Sequence, residues 1–574
     1  SAGIAVMQPG GIQVCKVKGR LKNLKAEAEK KDLSGTLGIG HTRWATHGEP
    51  SVRNSHPHTN ASGSIAVVHN GIIENYAVLR EYLESEGYDF TTDTDTEVIP
   101  HLVDYYYEGN LFDAVVRAAE KLSGSYAACV ICSAEPDKIV AVRKYSPLII
   151  GLGQGENFVA SDIPAILKQT RDVYLLEDNE FAVLTKEGVQ LFTHEKKPIT
   201  REIYHVTFDA DAAEKAGYDH FMLKEIHEQP KAIRDTLLGR VAVGQTTVFD
   251  SLAYEKIKDI REIFIVACGT AYHAGLVGKY AIERLAGIPV DVDMASEFRY
   301  RDPIIDEKTL LVIISQSGET ADTLAALRLA KEHGSQVVAV TNVVGSTAAR
   351  EADFVFYTHA GPEIAVASTK AYTSQLIAMY TLALFLAENR GTIEAKQADA
   401  LKNSLLELPA QVSRVLAQEL ELKKLGKKLA EQQDIYYLGR GLDYAVALEG
   451  ALKLKEISYI HAEAYAGGEL KHGPIALIEP GTVVVAVNTS KRLQPKMESN
   501  IREVVTRGAY VLGILADGFD GSGFDDVFRL PQISELLSPV VAAVPLQLLS
   551  YYVSIGKGCD VDKPRNLAKS VTVE

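Results

Sequence analysis

The sequence lacks the features that would place it in a membrane or on a nucleic acid. Its longest apolar run, residues 376–387, is well short of the ~20 residues a bilayer span needs, so it reads as a buried helix. Basic charge is not in excess: the formal net charge is −15, which disfavours a polyanionic partner, because nucleic-acid binding usually shows a basic face. Cysteine is scarce. Cys15, Cys129, Cys132, Cys268 and Cys559 make a sparse, odd-numbered set that suits a reducing cytoplasm. Cys129 and Cys132 have CxxC spacing, but they lie in a strand-like run where residues three apart point to opposite faces; core packing is expected, not a metal or redox pair. No signal peptide is expected at the start, and the phosphate-binding pattern GxxxxGK[ST] is missing. At 574 residues the chain is too long for one core, and length suggests roughly three or four domains.

What is present centres on residues 310–324, LLVIISQSGETADTL. Leu310 to Ile314 form an unbroken apolar run, as in a strand buried on both faces of a parallel sheet. SQSGET follows at 315–320, and helical spacing resumes at Leu324, Leu327 and Leu329. A strand running through a hydroxyl-rich turn into a helix gathers side-chain O–H and helix N-terminal N–H groups at one point, which can bind an anion. Neutral donors without a lysine suit a small phosphate ester. An ordinary capped βα loop would read the same way.

Residues 1–205 alternate short β-like runs (65–68, 127–131, 139–142, 181–184) with helical patterns at 76–84, 97–107 and 112–121, which fits an α+β layered domain. Three polar clusters interrupt them: HTRWATHG at 41–48 with the only Trp, His69-Asn70-Gly71, and 92–97. If an amide is to be hydrolysed, each has a use. The Asn70 side chain and the Gly71 N–H could form an oxyanion hole; Arg43 could clamp a carboxylate and Asp95 could receive an ammonium group. A hairpin turn at Asn-Gly, a surface ion pair for Arg43 and an N-cap for Asp95 are the plainer alternatives.

A polar, acidic linker is expected at 206–230, and a βαβ alternation then runs twice. The run 263–266 followed by Cys268-Gly269-Thr270-Ala271 opens the first copy, and 435–438 followed by Gly439-Arg440-Gly441-Leu442 opens the second. Runs 310–314 and 483–487 pair in order, as do 337–340 and 510–514. Two doubly wound domains are implied, with ligands at the carboxyl ends of their strands. Only the first copy carries SQSGET; the second has Asn488-Thr489-Ser490-Lys491 there, which predicts divided labour. In the second copy, 444–460 has helical spacing with Glu449, Lys453 and Glu456 on one face. A solvated salt-bridged helix would explain that face, but the apolar company of Ala445, Val446, Leu448, Leu452, Leu454 and Ile457 leaves little room for water. A carboxylate held beside a lysine in such a place can shuttle protons. His461 and His472 lack HExxH spacing, which argues against zinc.

SQSGET after a buried strand resembles the phosphosugar-binding loop of sugar isomerase (SIS) domains. With HTRWATHGEP, HNGIIEN, TDTDTEV, ASTKAY, LKLKEISYIHAEAYAGGELKHGP and the tail PRNLAKSVTVE, nearly the whole chain resembles the isomerising glutamine–fructose-6-phosphate aminotransferases. The resemblance implies an α/β protein: an N-terminal-nucleophile type α/β/β/α glutamine amidotransferase domain at 1–205, then two doubly wound parallel-sheet SIS domains at 231–405 and 406–559, and a catalytic tail at 560–574. It implies that fructose 6-phosphate and glutamine become glucosamine 6-phosphate and glutamate, the first step of amino-sugar biosynthesis. Ammonia transfer and ketose-to-aldose isomerisation through a lysine Schiff base would do this in a cytoplasmic homodimer, without metal or organic cofactor.

By motif match, Arg43, Thr46, His47 and Asp95 would bind glutamine, Asn70 and Gly71 would stabilise the oxyanion, and Trp44 would gate an ammonia channel. Thr270, Ser315, Gln316, Ser317 and Thr320 would hold the phosphate, and Ser368 would contact the sugar. His472, from the neighbouring subunit, would open the ring. Lys569 would form the Schiff base, Glu456 would move the proton between C1 and C2, and Lys453 would support the developing charge. Pro564, Asn566 and Leu567 are expected to pin the tail. Two departures stand out. Family members begin Cys-Gly-Ile with that cysteine as nucleophile, whereas Ser1-Ala-Gly-Ile matches an internal segment, so the nucleophile, first strand and first helix are expected to be missing and the glutaminase half-reaction to fail. Ala271 replaces a serine common among relatives, which removes one hydroxyl from the phosphate cradle. A phosphosugar-sensing regulator would need neither Lys569 nor Glu456, and an SIS-type isomerase or deglycase would lack residues 1–205.

Overall fold

The computed structural model describes all residues except 20, 32, 44–47, 207–214 and 573–574. The chain divides into two compact units, 1–210 with 571–574, and 211–570.

The first unit is layered. A seven-stranded sheet holds the strands Ile65–Ile73, Gly124–Cys132 and Glu135–Lys144 at adjacent positions. Alternation along Gly124–Cys132 sends Tyr126, Ala128, Val130 and Cys132 to one face, against the helices Val98–Tyr106 and Leu111–Ala119. Ala127, Cys129 and Ile131 go to the other, against Ala5, Met7 and Ile39 of a three-stranded sheet. On that sheet's outer side Leu24 of the helix Leu21–Ala28 packs on Ala2 and Cys15. The result is a helix–sheet–sheet–helix stack, produced by the two-residue period of the strands. Cys129 and Cys132 lie on opposite faces of one strand, both buried and unpaired.

The second unit contains two five-stranded parallel sheets. In the first, β1 (Glu262–Ala267), β2 (Val290–Met294), β3 (Thr309–Ile314), β4 (Gln336–Thr341) and β5 (Phe354–Tyr357) run in the order β2-β1-β3-β4-β5. In the second, β6 (Asp434–Gly439), β7 (His461–Ala466), β8 (Val483–Asn488), β9 (Tyr510–Ala516) and β10 (Asp526–Leu530) run β7-β6-β8-β9-β10. The two orders are the same. Every residue of β3 is buried, as a strand covered by helices on both faces requires.

Five helices matter for the site: α1 (Gly269–Ala286), α2 (Ala321–Glu332), α3 (Lys370–Arg390), α4 (Leu442–Ser458) and α5 (Ser538–Gly556). Residues 370–387 of α3 are all buried, so the apolar run at 376–387 is a core helix. The sequence reading missed a longer one. Residues Glu535–Gly556 are apolar and long enough to cross a membrane, yet the whole apolar window is buried inside the unit, because α5 packs against both α4 and the helix Glu419–Leu429.

Two expected boundaries move. The stretch 206–230 includes the helix Phe221–His227, whose Met222 and Ile226 are fully buried in the core of the second unit, so that part is not a linker. Its charged neighbours masked the apolar pair. The 405/406 boundary falls inside the continuous helix Ala395–Leu416.

Candidate active site

In the second unit the turns after β1 and β3 lie side by side, because these strands are parallel neighbours. The β1 turn starts α1 with Thr270. The β3 turn is SQSGET, folded on itself: Ser315 Oγ lies 3.0 Å from Thr320 Oγ1 and accepts the Gly318 N–H at 3.0 Å, while Ser317 Oγ accepts the Glu319 N–H at 3.2 Å. Gly318 has a φ of +67°, and a Cβ there would come within 2.2 Å of Ser346 Oγ. Only glycine closes this loop. Gln316 contributes its carbonyl to the Asn342 N–H at 3.1 Å. Ala271 is buried in the apolar core.

The face predicted on α4 is buried, not solvated. Glu449 and Lys453 are each 1 % exposed. Lys453 Nζ donates to Glu456 Oε2 at 2.7 Å and to Thr270 Oγ1 at 3.0 Å, and lies 3.5 Å from Glu449 Oε1. Glu449 also accepts the Thr270 hydroxyl at 3.1 Å and faces His273 Nδ1 at 2.8 Å. Burial works to lower the Lys453 pKa; the Glu456 and Glu449 carboxylates outweigh it and raise it above the ordinary value. The lysine is a fixed cation beside Glu456. Glu449 and His273 received no role from the sequence, although Glu449 was placed on the right face.

The tail arrives at the same cleft. Lys569 Nζ donates to Glu363 Oε2 at 2.5 Å and to Ser368 Oγ at 3.3 Å, and Ser570 Oγ lies 3.1 Å from Ser317 Oγ. Its pins differ from expectation. Pro564 is buried, but Asn566 is exposed and Leu567 is 42 % exposed. Val561 is fully buried instead, and Asp562 accepts the N–H groups of Phe221 and Met222 at 3.0 and 2.9 Å. The Arg565 N–H donates to Tyr459 Oη at 2.8 Å, with the guanidinium stacked over that ring. Polar anchors hold the tail where apolar spacing gave no signal.

Glu363 also escaped the sequence reading. It is buried, and Oε1 accepts the N–H groups of Thr369 and Ala371 at 2.8 and 3.0 Å. Burial pushes its pKa up, but Lys569 and these donors win and hold it below the ordinary value. Behind it, burial and the Glu363 charge push Glu225 up to about 8. An isolated glutamate in GPEIAVASTK carries no periodic signal. His472 is exposed at the end of a short 3-10 turn and makes no hydrogen bond or ion pair with the described residues.

In the first unit, Asn70 and Gly71 lie inside the strand Ile65–Ile73, not in a hairpin turn. Gly71 has a φ of +124°, and a Cβ would meet Ser125 O at 1.9 Å. His41 Nε2 lies 2.7 Å from Asn70 Oδ1. Burial lowers the His41 pKa to about 4, so the neutral ring donates to Oδ1 and the Asn70 amide N–H groups are left to point elsewhere. Asp95 Oδ2 accepts the Ile73 N–H at 2.9 Å, which ties it beside the same strand. The Arg43 guanidinium donates to Gly48 O at 2.9 Å. Trp44, Thr46 and His47 lie outside the described residues.

Family models match both parts of the chain: a glutamine amidotransferase domain at residues 41–168 and an SIS domain twice, at 256–385 and 428–555. A glutamine–fructose-6-phosphate aminotransferase [isomerizing] of Clostridium tetani is 61% identical over 578 residues, covering 100% of this chain and 95% of that protein. The chain belongs to the isomerising glutamine–fructose-6-phosphate aminotransferase family. Another aminotransferase of this family, from Methanosarcina acetivorans, is 49% identical over 591 residues, again covering 100% of this chain and 95% of that one. The C-terminal domain of glucosamine-fructose-6-phosphate aminotransferase from Francisella tularensis matches in structure, with a TM-score of 0.59 and 43% identity over 61% of this chain and 100% of that one. A regulator or a simple SIS isomerase finds no support beside an aminotransferase match that spans both units.

Proposed function

We propose how the named residues carry out the family's reaction, in which fructose 6-phosphate and glutamine become glucosamine 6-phosphate and glutamate. The observation that carries the reading is Lys569 held beside Glu363 and Ser368 while its neighbour Ser570 touches the SQSGET loop. Thr270, Ser315, Gln316, Ser317 and Thr320 hold the sugar phosphate with neutral donors and a helix N-terminus. Glu363 and Ser368 position Lys569, and once its ammonium has lost a proton to water the free amine attacks the C2 carbonyl; water leaves and an imine forms. The imine makes the C1 hydrogen acidic. Glu456 takes that proton and returns it to C2, while the fixed cation of Lys453 stabilises the charge that develops. Before that proton moves, ammonia adds to the imine carbon and the lysine amine leaves, so C2 carries the nitrogen of ammonia when Glu456 acts.

In the family's reaction that ammonia comes from glutamine; the first unit supplies the binding and oxyanion groups, while the family's nucleophilic Cys-Gly-Ile is not among the 574 residues. Arg43, Thr46, His47 and Asp95 hold the amino acid, the Asn70 amide and Gly71 N–H receive the oxyanion, and Trp44 guards the ammonia path. His472 makes no hydrogen bond or ion pair among the described residues, which supports a homodimer in which it opens the sugar ring in a second copy. The unpaired cysteines suit the cytoplasm.

Borohydride reduction in the presence of fructose 6-phosphate tests the assignment. A hexose phosphate adduct on the peptide containing Lys569, together with loss of ammonium-dependent amination in Lys569→Ala, is the expected result. Near-normal amination by Lys569→Ala would sink it.

A further inference from the structure

The second sheet has a cavity where the first has its candidate site. A cavity of about 340 Å³ opens at the carboxyl ends of β6 and β8, lined by Asp443 at the start of α4, by Ser490 and Arg492 after β8, and by Tyr280, Glu283 and Arg284 of α1. Its place follows from the repeat. Tyr280 and Glu283 come eleven and fourteen residues after Gly269, the first residue of α1 (280−269 and 283−269), and Lys453 and Glu456 come at the same offsets after Leu442 of α4 (453−442 and 456−442). Each helix therefore starts at one site and lends its later turns to the other.

The chemistry of this cavity is different. The loop donors that could cradle a phosphate are already used: Asp443 accepts the Thr489 N–H at 2.8 Å and its hydroxyl, and Ser490 Oγ donates to Glu535 Oε1 at 2.6 Å. Two cations remain. Arg284 and Arg492 line the cavity and have no hydrogen bond or ion pair with any described residue. Paired guanidiniums match a phosphate monoester bidentately. Glu283 and Glu535, on the same lining, offer carboxylate oxygens to an ammonium group and hydroxyls. The volume is near the lower end for ligand pockets, which favours a monosaccharide over a nucleotide.

We infer that this cavity is a second binding site, for a phosphorylated amino sugar, with Arg284 and Arg492 holding the phosphate and Glu283 and Glu535 the amine. Binding of product-class molecules here is separate from catalysis and does not depend on the roles assigned at the first site. Because α1 also carries Thr270 and His273, and α4 also carries Glu449, Lys453 and Glu456, occupancy bears on the helix pair that builds the catalytic cleft.

The experiment is calorimetric titration of the full protein with glucosamine 6-phosphate. The expected result is two binding events per chain, with the second at least about tenfold weaker in Arg284→Ala/Arg492→Ala and the first unchanged, as is ammonium-dependent amination without added ligand. Glucosamine and glucose 6-phosphate, each lacking one charged group, should fill the second site less tightly. Both arginines are exposed, so an unchanged melting temperature is expected; if the double variant melts early, Arg492→Gln carries the same comparison. The absence of any wild-type binding event that weakens in the arginine variant overturns the inference, whatever the first site does.

Discussion

The loop after β3 and the loop after β8 stand at equivalent places in sheets of identical strand order, yet their donors are spent differently. The first spends its hydroxyls on groups of its own loop and on Ser570 of the tail, with Gly318 closing the turn. The second gives them to the protein's own carboxylates, Asp443 and Glu535. The facing helices differ in the same sense: α4 presents a buried lysine with two glutamates, whereas α1 presents Tyr280 and Glu283 at the matching offsets. One architecture therefore carries two different sets of side chains, and duplication of a sheet does not duplicate a site.

The largest expected effect breaks the contrast at the helix faces. Glu456→Gln keeps shape and hydrogen bonding but removes the base, so amination by the purified enzyme should fall by ~10²–10⁴ with little change in melting temperature. Glu283→Gln, at the mirrored position, should leave the rate within about twofold. Equal losses in both would show that the two faces are not specialised.

The next effect lies in the second copy. Burial pushes the Asp443 carboxyl up to about 6, against the Thr489 and Ser490 hydrogen bonds that favour the ionised form. Its folded pKa lies above the unfolded value of 3.8, so folding favours the protonated acid and that stabilisation is lost as pH rises through 6. Relative to Asp443→Asn, wild-type stability should fall by about 2 kcal/mol between pH 4 and pH 7. Denaturant unfolding at both pH values measures it, and a difference that does not change with pH would contradict the assignment.

Smaller still is the contrast between two glycines with positive φ. At Gly318 a Cβ has Ser346 Oγ at 2.2 Å, while at Gly441 nothing is nearer than Leu493 Cδ1 at 3.3 Å. Gly318→Ala should raise the KM for fructose 6-phosphate by about tenfold or more; Gly441→Ala should leave it alone and cost about 1–2 kcal/mol of stability. The smallest change is Thr270→Val, which removes the hydroxyl between Lys453 and Glu449. Losing about 1 kcal/mol of binding or stability is expected, and a thousandfold loss of rate would mean that the hydroxyl does more than hold phosphate and lysine.

Much of this is legible in the sequence. The unbroken run before SQSGET announced a buried strand, because only a strand covered on both faces has no polar position. The repeat was visible since each copy restarts with a strand and a glycine turn. Lys453 and Glu456 were found by helical spacing in apolar company. The misses share one cause. Glu363, Glu225 and His273 act through partners far along the chain, Lys569 among them, and no local period marks such a residue. Leu567, expected to pin the tail with Pro564 and Asn566, is exposed, and the tail is held by Asp562 and Arg565 through backbone and ring contacts. The apolar helix at 538–556 was passed over because Pro539, Ser550 and two tyrosines break its run.

The sequence by itself determined the elements, the duplication and the kinds of group available, since these depend on residue periodicity and turn chemistry within a few residues. Only the tertiary structure decided which groups meet. Lys569 and Glu363 are 206 residues apart, and Lys453 and Thr270 are 183 apart. Burial then settled their charge: the same carboxyl chemistry is held low in Glu363 by an ammonium and two N–H groups and pushed up in Glu225 by burial and its neighbour's charge.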